Sequence, residues 1–474
     1  MSQKRASERL RVPEPVMKRR IPSGRGAMEQ PNVTSDGDSP LTPGFWAAVV
    51  LTGVATGLLG ALLMVILFGL EHLTFGYHTG TFEAAVKRDS SLHRVLALVI
   101  AGAVGGLAWY LLRRFTSGEK SGFDDAVWNG DGRLSFRRSL GTSVISEVVI
   151  GMGASMGREN APKLMGGASA SVLAGWTRLG TSQRRLLVAC GGGAGLAAVY
   201  NVPLGGALFT AEILVGSIAL PVILPALVCS WIATITAWIY LPSHATYVDV
   251  PSYRFTATLL VWALVVGPVV GLLAVGYIRL IAWLSHHRAT GLKALPAPLV
   301  AFAILGVIGI AFPQLFGNGK DMAHDAFLGA GTLGLLAALA ILKPLVTSLC
   351  LGSGASGGLF TPVLSTGAVL GAALGLAWSH LWPGAPVGAF AVIGAAAMIG
   401  AGMQAPLAAV VLVLELTHNG FSLLIPMIAA TAVATAVSRH IDGYSIYTGR
   451  LARDEDASGR VPPLAPAGEN ANTG

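Results

Sequence analysis

Long apolar stretches separated by short polar ones make up most of the chain between positions 43 and 453. Two of them, about Pro43–Tyr77 and Val95–Leu112, are long enough to cross a bilayer, because about 20 apolar residues span the hydrocarbon core as a helix. The segment from Pro344 to Leu414 contains no Asp, Glu, Lys or Arg. The pattern therefore predicts an all-α polytopic membrane protein.

Further apolar pieces follow, several of them too short to cross about 30 Å of hydrocarbon at 1.5 Å per residue. Broken helices are tolerated at membrane depth only where the freed backbone is buried in protein or lines a watery cavity. In the first half the pieces lie at about Ser139–Ala154, Ala161–Trp176, Leu186–Tyr200, Pro203–Val215 and Ile218–Leu241. In the second half they lie at about Phe255–Leu284, Ala297–Phe312, Gly331–Leu351, Phe360–Leu381, Val387–Ile399, Ala405–Leu416 and Leu423–Ser438.

Two motifs occur once in each half of the chain. The stretch Gly153–Gly157 (GASMG) returns as Gly354–Gly358 (GASGG), and each copy runs on to a proline. The stretch Asn201–Gly206 (NVPLGG) likewise returns as Gln404–Ala409 (QAPLAA). An odd number of crossings between the copies would invert them, as in transporters whose site lies near the membrane midplane.

These repeats predict four regions. Residues 43–245 form the first membrane repeat, and residues 246–453 form the second together with a terminal helix. Residues 1–42 are polar and basic and predict a disordered cytoplasmic tail that touches anionic lipid head groups. Residues 454–474 predict a second disordered tail. With so little sequence outside the membrane, we expect a prokaryotic inner-membrane protein with both termini in the cytoplasm.

Composition narrows the possible functions. The 474 residues are 53% hydrophobic and only 12% charged, about half the charge of a soluble domain. The net charge of +8 comes from basic residues near the ends of apolar segments and in the first tail, as the positive-inside rule predicts, so it does not indicate nucleic-acid binding. The three cysteines lack CxxC spacing, and we expect neither a metal nor a cofactor.

One charged pair interrupts the repeated scaffold. Arg158 and Glu159 lie in glycine-rich apolar sequence, where a carboxylate costs roughly 2.5 kcal/mol or more and is a functional-site candidate. The second copy has Leu359 and Phe360 at these positions. Helix starts present free N–H groups and about half a positive charge, so starts converging from both halves would bind an anion. The predicted starts are Ser121, Glu159–Pro162 and Leu359–Phe360.

Four segments resemble one known family, the CLC chloride channels and proton-coupled chloride transporters. Gly157–Pro162 (GRENAP) resembles the family's GREGP motif, and Gly358–Pro362 (GLFTP) resembles its GxFxP motif. Ser121–Asp124 (SGFD) more loosely takes the place of GSGIP, and Ile446-Tyr447 resembles the pore-facing tyrosine segment. The similarity covers roughly residues 43–453.

The resemblance implies a role for each matching residue. Glu159 would be the gating carboxylate, which fills an anion site when ionised and swings away when protonated. Ser121 and Tyr447 would offer hydroxyls to a central anion, and Leu359 and Phe360 would offer backbone N–H groups. The supporting residues would be Gly157, Arg158, Gly358, Pro362 and Lys163. The resemblance also implies a homodimer in the lipid membrane that transports chloride or a related monovalent anion, together with protons if it is one of the proton-coupled members.

Less specific interpretations stay open for several of these residues. Glu159 could form a structural salt bridge with Arg158 or Lys163, Ser121 could only cap its helix, and Tyr447, with Tyr444 close by, could belong to an interfacial aromatic belt. Glu212 and Glu415 occupy equivalent places in the repeat, which favours capping or packing over a proton relay.

The chain also departs from the family pattern. Lys120 and Asp124 alter the GSGIP-like segment, and Asn160 follows Glu159. Lys163 lies four residues after Glu159, so an i,i+4 ion pair could form and hold the carboxylate ionised. Ile213 stands where proton-coupled members carry an inner glutamate. We therefore expect channel-like, voltage- or pH-dependent conduction with weak proton coupling, with H⁺/Cl⁻ antiport as the alternative.

An unrelated function is the remote alternative. The stretch Gly354–Gly357 matches the GxSG motif of intramembrane serine proteases, with Ser356 as nucleophile. Such an enzyme needs a histidine within hydrogen-bond reach of the serine. The downstream candidates, His380, His418 and His440, fall near predicted helix ends, which disfavours this hypothesis.

Overall fold

A computed structural model describes residues 42–119, 122–418 and 421–451. In these ranges all regular secondary-structure elements are helices. The bounds are α1 Pro43–Phe75, α2 Phe82–Arg88, α3 Ser91–Phe115, α4 Phe123–Trp128, α5 Phe136–Gly151, α6 Asn160–Trp176, α7 Thr181–Tyr200, α8 Pro203–Leu208, α9 Leu220–Ala237, α10 Ala257–His286, α11 Ala297–Ala311, α12 Lys320–Phe327, α13 Leu333–Gly352, α14 Phe360–Ser379, α15 Val387–Met403, α16 Pro406–Thr417 and α17 Leu424–Ile441. A π-helical segment, Phe209–Val215, continues α8.

Eight helical stretches of the described residues are long and apolar enough to cross a membrane, α1 being the longest. Each apolar piece predicted from the sequence overlaps a helix, which confirms the all-α membrane class. The prediction missed α2 and α12, because both are short and carry several charged residues. The two predicted tails lie almost wholly outside the described residues, as do Lys120 and Ser121.

The two halves of the membrane region have the same architecture. Apart from α2, the helices from α1 to α9 correspond in order to those from α10 to α17. Helix α1 packs on α9 as α10 packs on α17, and α6 packs on α7 as α14 packs on α15. The equivalent residues Gly157 and Gly358 form an antiparallel bridge, with N···O distances of 2.8 and 2.7 Å. Because equivalent segments meet in opposite directions, the repeats are inverted, as predicted.

Two glutamates hold the halves together reciprocally. The Glu212 carboxylate accepts hydrogen bonds from the N–H groups of Leu407 and Ala408 at the start of α16, the shorter one at 2.6 Å. The Glu415 carboxylate accepts from Leu204 and Gly205 at the start of α8, again with the shorter bond at 2.6 Å. Each carboxylate thus neutralises the free donors and positive dipole end of the other repeat's helix. This geometry confirms the capping interpretation of Glu212 and Glu415.

Glycines bring neighbouring helices into backbone contact near the centre of each half. A Cβ at Gly166 of α6 would overlap the Gly191 carbonyl of α7, and a Cβ at Gly191 would overlap Gly166. Gly367 of α14 and Gly394 of α15 have the same reciprocal relation. Only residues without a side chain permit such close approach. The helix pairs that follow the two copies of the glycine motif, α6 with α7 and α14 with α15, therefore pack backbone against backbone.

Candidate functional site: a carboxylate in an anion seat

Glu159 ends the repeated glycine loop immediately before α6, which starts at Asn160. Its side chain is buried, with 3% of the residue exposed. Its Oε1 accepts a hydrogen bond of 2.7 Å from the backbone N–H of Phe360, the first residue of α14. The carboxylate of one repeat therefore occupies the helix start of the other. The sequence predicted this meeting of Glu159 and Phe360.

Two side chains complete the surroundings of the carboxylate. The hydroxyls of Tyr200 and Thr361 each lie 3.3 Å from Glu159 Oε2 as donors, and the two hydroxyls also contact one another. The sequence analysis missed both residues. Thr361 had a signal, since it lies beside Phe360 in the GLFTP motif. Tyr200 had a weaker one, since it directly precedes the repeated NVPLGG turn.

The glycines of the two motifs make room for this carboxylate. A Cβ at either Gly157 or Gly358 would overlap the oxygens of Glu159. The same two residues form the bridge that joins the repeats. The backbone of this bridge therefore lies directly against the Glu159 carboxylate. Pro162 and Pro362 are each the third residue of their helix, where the missing N–H removes no helical hydrogen bond. The glycines of the two motifs thus leave space for the carboxylate, and the start of α14 supplies its backbone donor.

The Arg158 side chain lines a different cavity from the Glu159 carboxylate. Its guanidinium lies 4.9 Å from the ring centre of Tyr200 and 5.5 Å from that of Phe68. It lines a cavity of about 250 Å³ on the other side of the loop, together with Glu71 and Lys320. Neither Arg158 nor Lys163 forms an ion pair with Glu159, so the salt-bridge alternative for Glu159 is wrong. Arg158 stacks on aromatic faces and contributes positive potential beside the seat.

A smaller cavity adjoins the carboxylate. It has a volume of about 20 Å³, room for roughly one water molecule. Its lining consists of Asp124, Glu159, Asn160, Lys163, Gly357, Gly358, Leu359, Tyr447 and Arg450. Of the two predicted backbone donors, Phe360 bonds the carboxylate, whereas Leu359 lines this cavity. Tyr447 is buried beside Phe209 and shares the cavity with Glu159, a position that does not fit an interfacial belt.

Lys163 has a different partner from the predicted one. Its ammonium lies 3.1 Å from Asp124 Oδ1, so the predicted i,i+4 pair with Glu159 is wrong. That rule applies to two residues within one helix. Glu159 precedes the first helical residue of α6, and its side chain turns towards α14. Lys163 is therefore left to face α4, which carries Asp124.

A second buried cation secures the loop that leads to Glu159. The Lys343 ammonium, fully buried in α13, donates to Ser155 Oγ at 2.9 Å. It also donates to the carbonyl oxygens of Gly317 and Leu315, at 2.9 and 3.3 Å. Its position in sequence gave no sign of these partners, because they lie in two other loops. Lys343 joins the first repeat's glycine loop to the segment before α12.

The remaining predicted positions are also placed. Ile213 is fully buried in the π-helical segment, so an aliphatic side chain fills the place of the inner glutamate. The Ser356 hydroxyl accepts a hydrogen bond from the Asn160 amide at 3.2 Å. His380, His418 and His440 are exposed at helix ends, so within the described residues no histidine bonds Ser356. The geometry that a serine protease requires is not formed.

Comparison with known proteins agrees with this geometry. The sequence profile described as "Voltage gated chloride channel" matches residues 104–439. A putative chloride channel protein, ClcB-like, from Ralstonia nicotianae is 33% identical over 392 residues, which cover 78% of this chain and 88% of that protein. This chain belongs to the CLC family. Members of this family are anion transporters, and this chain shares that general activity.

Two further comparisons extend over most of the chain. The H(+)/Cl(-) exchange transporter ClcA of Yersinia pseudotuberculosis serotype IB is 28% identical over 472 residues, which cover 94% of this chain and 95% of that protein. The crystal structure of a slow cyanobacterial Cl⁻/H⁺ antiporter superposes with a TM-score of 0.75 at 24% identity. That superposition covers 86% of this chain and 97% of the antiporter, and it shows the CLC fold.

Proposed function

We propose that this CLC protein exchanges chloride, or a closely related monovalent anion, for protons at the seat occupied by Glu159. One observation carries the proposal: the buried Glu159 carboxylate accepts the Phe360 N–H at 2.7 Å beside a small cavity. A carboxylate is itself an anion, so it competes with chloride for the same donors. Protonation removes its charge and with it the advantage over a halide.

The charges around the small cavity support this competition. Its described lining contains two acids, Asp124 and Glu159, and two bases, Lys163 and Arg450. These formal charges cancel while Glu159 is ionised. When Glu159 is protonated, one positive charge is left uncompensated beside the vacated helix start. An anion is then attracted to the seat, and anion entry becomes linked to proton uptake.

Exchange is favoured over the channel-like conduction expected from the sequence. The Yersinia relative, which aligns with nearly all of this chain, carries the name of an exchange transporter. The enclosed position of Glu159 is consistent with a carboxylate that must move in every cycle. The proposed substrate is a monovalent anion that accepts hydrogen bonds from backbone N–H groups.

A channel is the second candidate, and Ile213 is the residue that favours it. Because Ile213 is fully buried and carries no titratable group, it offers no proton acceptor at the inner position. On this hypothesis Glu159 opens and closes a conductive path without a fixed proton count. The two candidates therefore differ in stoichiometry, which can be measured directly.

The membrane arrangement belongs to the same proposal. The protein would lie in a prokaryotic inner membrane with both termini in the cytoplasm, as the basic residues near helix ends indicate. A homodimer would form through the side of the molecule where α8 and α16 begin, because Leu204 and Leu407 are about half exposed there. Cross-linking in the membrane through cysteines introduced at these two positions would test that interface.

Reconstitution into liposomes tests the function. Chloride efflux and proton uptake are recorded together from the same vesicles while the membrane potential is clamped with an ionophore. Exchange predicts proton movement that follows chloride in a fixed ratio, and a reversal potential that moves with the proton gradient. Chloride efflux without proton movement would support the channel instead. The absence of any anion flux from folded, inserted protein would contradict both.

A further inference from the structure

The small cavity contains two carboxylates, and each is bonded to a potential anion donor. Glu159 binds the backbone N–H of Phe360, and Asp124 binds the ammonium of Lys163. We propose that Lys163 is a second anion seat and that Asp124 is its resident competitor, which the passing anion displaces. This inference rests on the proposed anion transport and adds a side-chain seat to the backbone one.

Lys163 is held in a fixed direction at the edge of the cavity. It is the fourth residue of α6, and 5% of it is exposed. Its ammonium lies 4.8 Å from the ring centre of Phe123 and 4.9 Å from that of Tyr447. Cation–π contacts with two rings hold the charge in place without neutralising it. An ammonium has three donors, and Asp124 accepts from one of them.

Asp124 is better able to leave than Lys163. Its side chain is 26% exposed, whereas that of Lys163 is 6% exposed. When the pair separates, water can solvate the carboxylate, but the ammonium stays enclosed. An anion in the cavity can then replace the lost carboxylate on Lys163. The exposed partner therefore exchanges while the buried one stays in position.

Asp124 also keeps the anion from binding too tightly to Lys163. A full positive charge in an enclosed pathway binds an anion strongly, and tight binding slows release. With Asp124 in place, the anion gains only the difference between its own interaction with Lys163 and that of the carboxylate. Asp124 therefore lowers the affinity of the seat to a level that permits turnover. Glu159 acts in the same way on the backbone donors of α14.

The test measures chloride binding by titration calorimetry and chloride flux in liposomes, using the purified full chain. Asp124→Asn removes the competing charge, so we expect chloride to bind about tenfold more tightly and to turn over more slowly, an effect in the range of charged hydrogen bonds. Lys163→Met removes the seat, so binding should weaken about tenfold on the same scale. The double variant, Asp124→Asn with Lys163→Met, should lie close to Lys163→Met alone.

Matched controls are available in the chain. Asp125→Asn makes the same change at the next residue, whose carboxylate is exposed and bonded to Asn129. Lys293→Met makes the same change at an exposed lysine. Both controls should bind and transport chloride like the wild type. Lys163→Arg keeps the cation but changes its shape, so its affinity should lie between those of the wild type and Lys163→Met.

The outcomes separate this inference from the proposed function. If the wild type neither binds nor transports chloride, the proposed function fails. If the wild type transports chloride but Asp124→Asn and Lys163→Met behave like their controls, only the second seat is wrong. Should Asp124→Asn not fold, unchanged chloride affinity in Lys163→Met is sufficient to overturn the inference.

Discussion

The internal repeat pairs two of the glutamates described above and leaves a third without an acidic equivalent. Glu212 and Glu415 stand at equivalent positions, and each caps the first turn of a helix in the opposite repeat. Glu159 has no acidic counterpart, since its equivalent position is occupied by Phe360, which donates its N–H to the carboxylate. The symmetric pair serves the scaffold, and we propose that the asymmetric Glu159 acts in transport. In an inverted repeat, departures from symmetry therefore point to function.

The largest expected effect comes from removing the asymmetric carboxylate. In the wild type, flux should change by up to about tenfold per pH unit where Glu159 is mostly ionised, because that is the change in its protonated fraction. Glu159→Ala leaves the seat without a competitor, so flux should persist or increase and lose its pH dependence. Chloride flux from liposomes across a pH series measures this. An inactive but correctly folded variant would show that Glu159 does not act as a competitor.

Removing a symmetric carboxylate should affect stability instead. Glu212→Ala or Glu415→Ala leaves two helix-start donors without their charged acceptor, and we expect each to lower the free energy of unfolding by about 2 kcal/mol. The two variants should have similar melting temperatures in detergent, a few degrees below the wild type. Flux per folded protein should keep its wild-type pH dependence. If only one of the two variants lost that dependence, the symmetric pair would also have a transport role.

A smaller effect is expected when the space for the carboxylate is reduced. Gly358→Ala places a methyl group where the Glu159 oxygens lie, so the ionised side chain should occupy the seat less often. The pH dependence of flux should become shallower without disappearing. Gly402→Ala is the control, since a Cβ there meets Val363 at 3.4 Å, an ordinary contact. Unchanged pH dependence in Gly358→Ala would mean that the carboxylate does not need this position.

The smallest effect is expected at Tyr200, one of the two residues that the sequence analysis missed. Tyr200→Phe removes one donor at 3.3 Å from Glu159 and retains the ring under Arg158. Losing a donor to the ionised form favours the protonated form. The pH of half-maximal flux should therefore rise by less than about one unit, the equivalent of a single hydrogen bond. A shift towards lower pH would show that Tyr200 stabilises the protonated carboxyl instead.

Much of this arrangement could be predicted from the sequence, because the repeat and the apolar pattern constrain it. The motif around Glu159 and its copy around Phe360 identified two residues that the fold brings into hydrogen-bond contact. The partner of Lys163 could not be predicted, since it depends on where α6 begins to within one residue. The role of Tyr200 was also missed, because its place before the repeated turn does not show the direction of its hydroxyl. Ser121 stays a prediction.

The reciprocal glycine contacts between α6 and α7, and between α14 and α15, limit how this protein can move. Helices whose main chains touch can neither rotate nor slide without collision, so each hairpin behaves as one stiff body. Helices α6 and α14, which begin directly after Glu159 and Leu359, belong to those bodies. Large rocking of one half against the other would break the Gly157–Gly358 bridge beside Glu159. In the transport cycle that we propose, the moving parts are then side chains, those of Glu159 and Asp124.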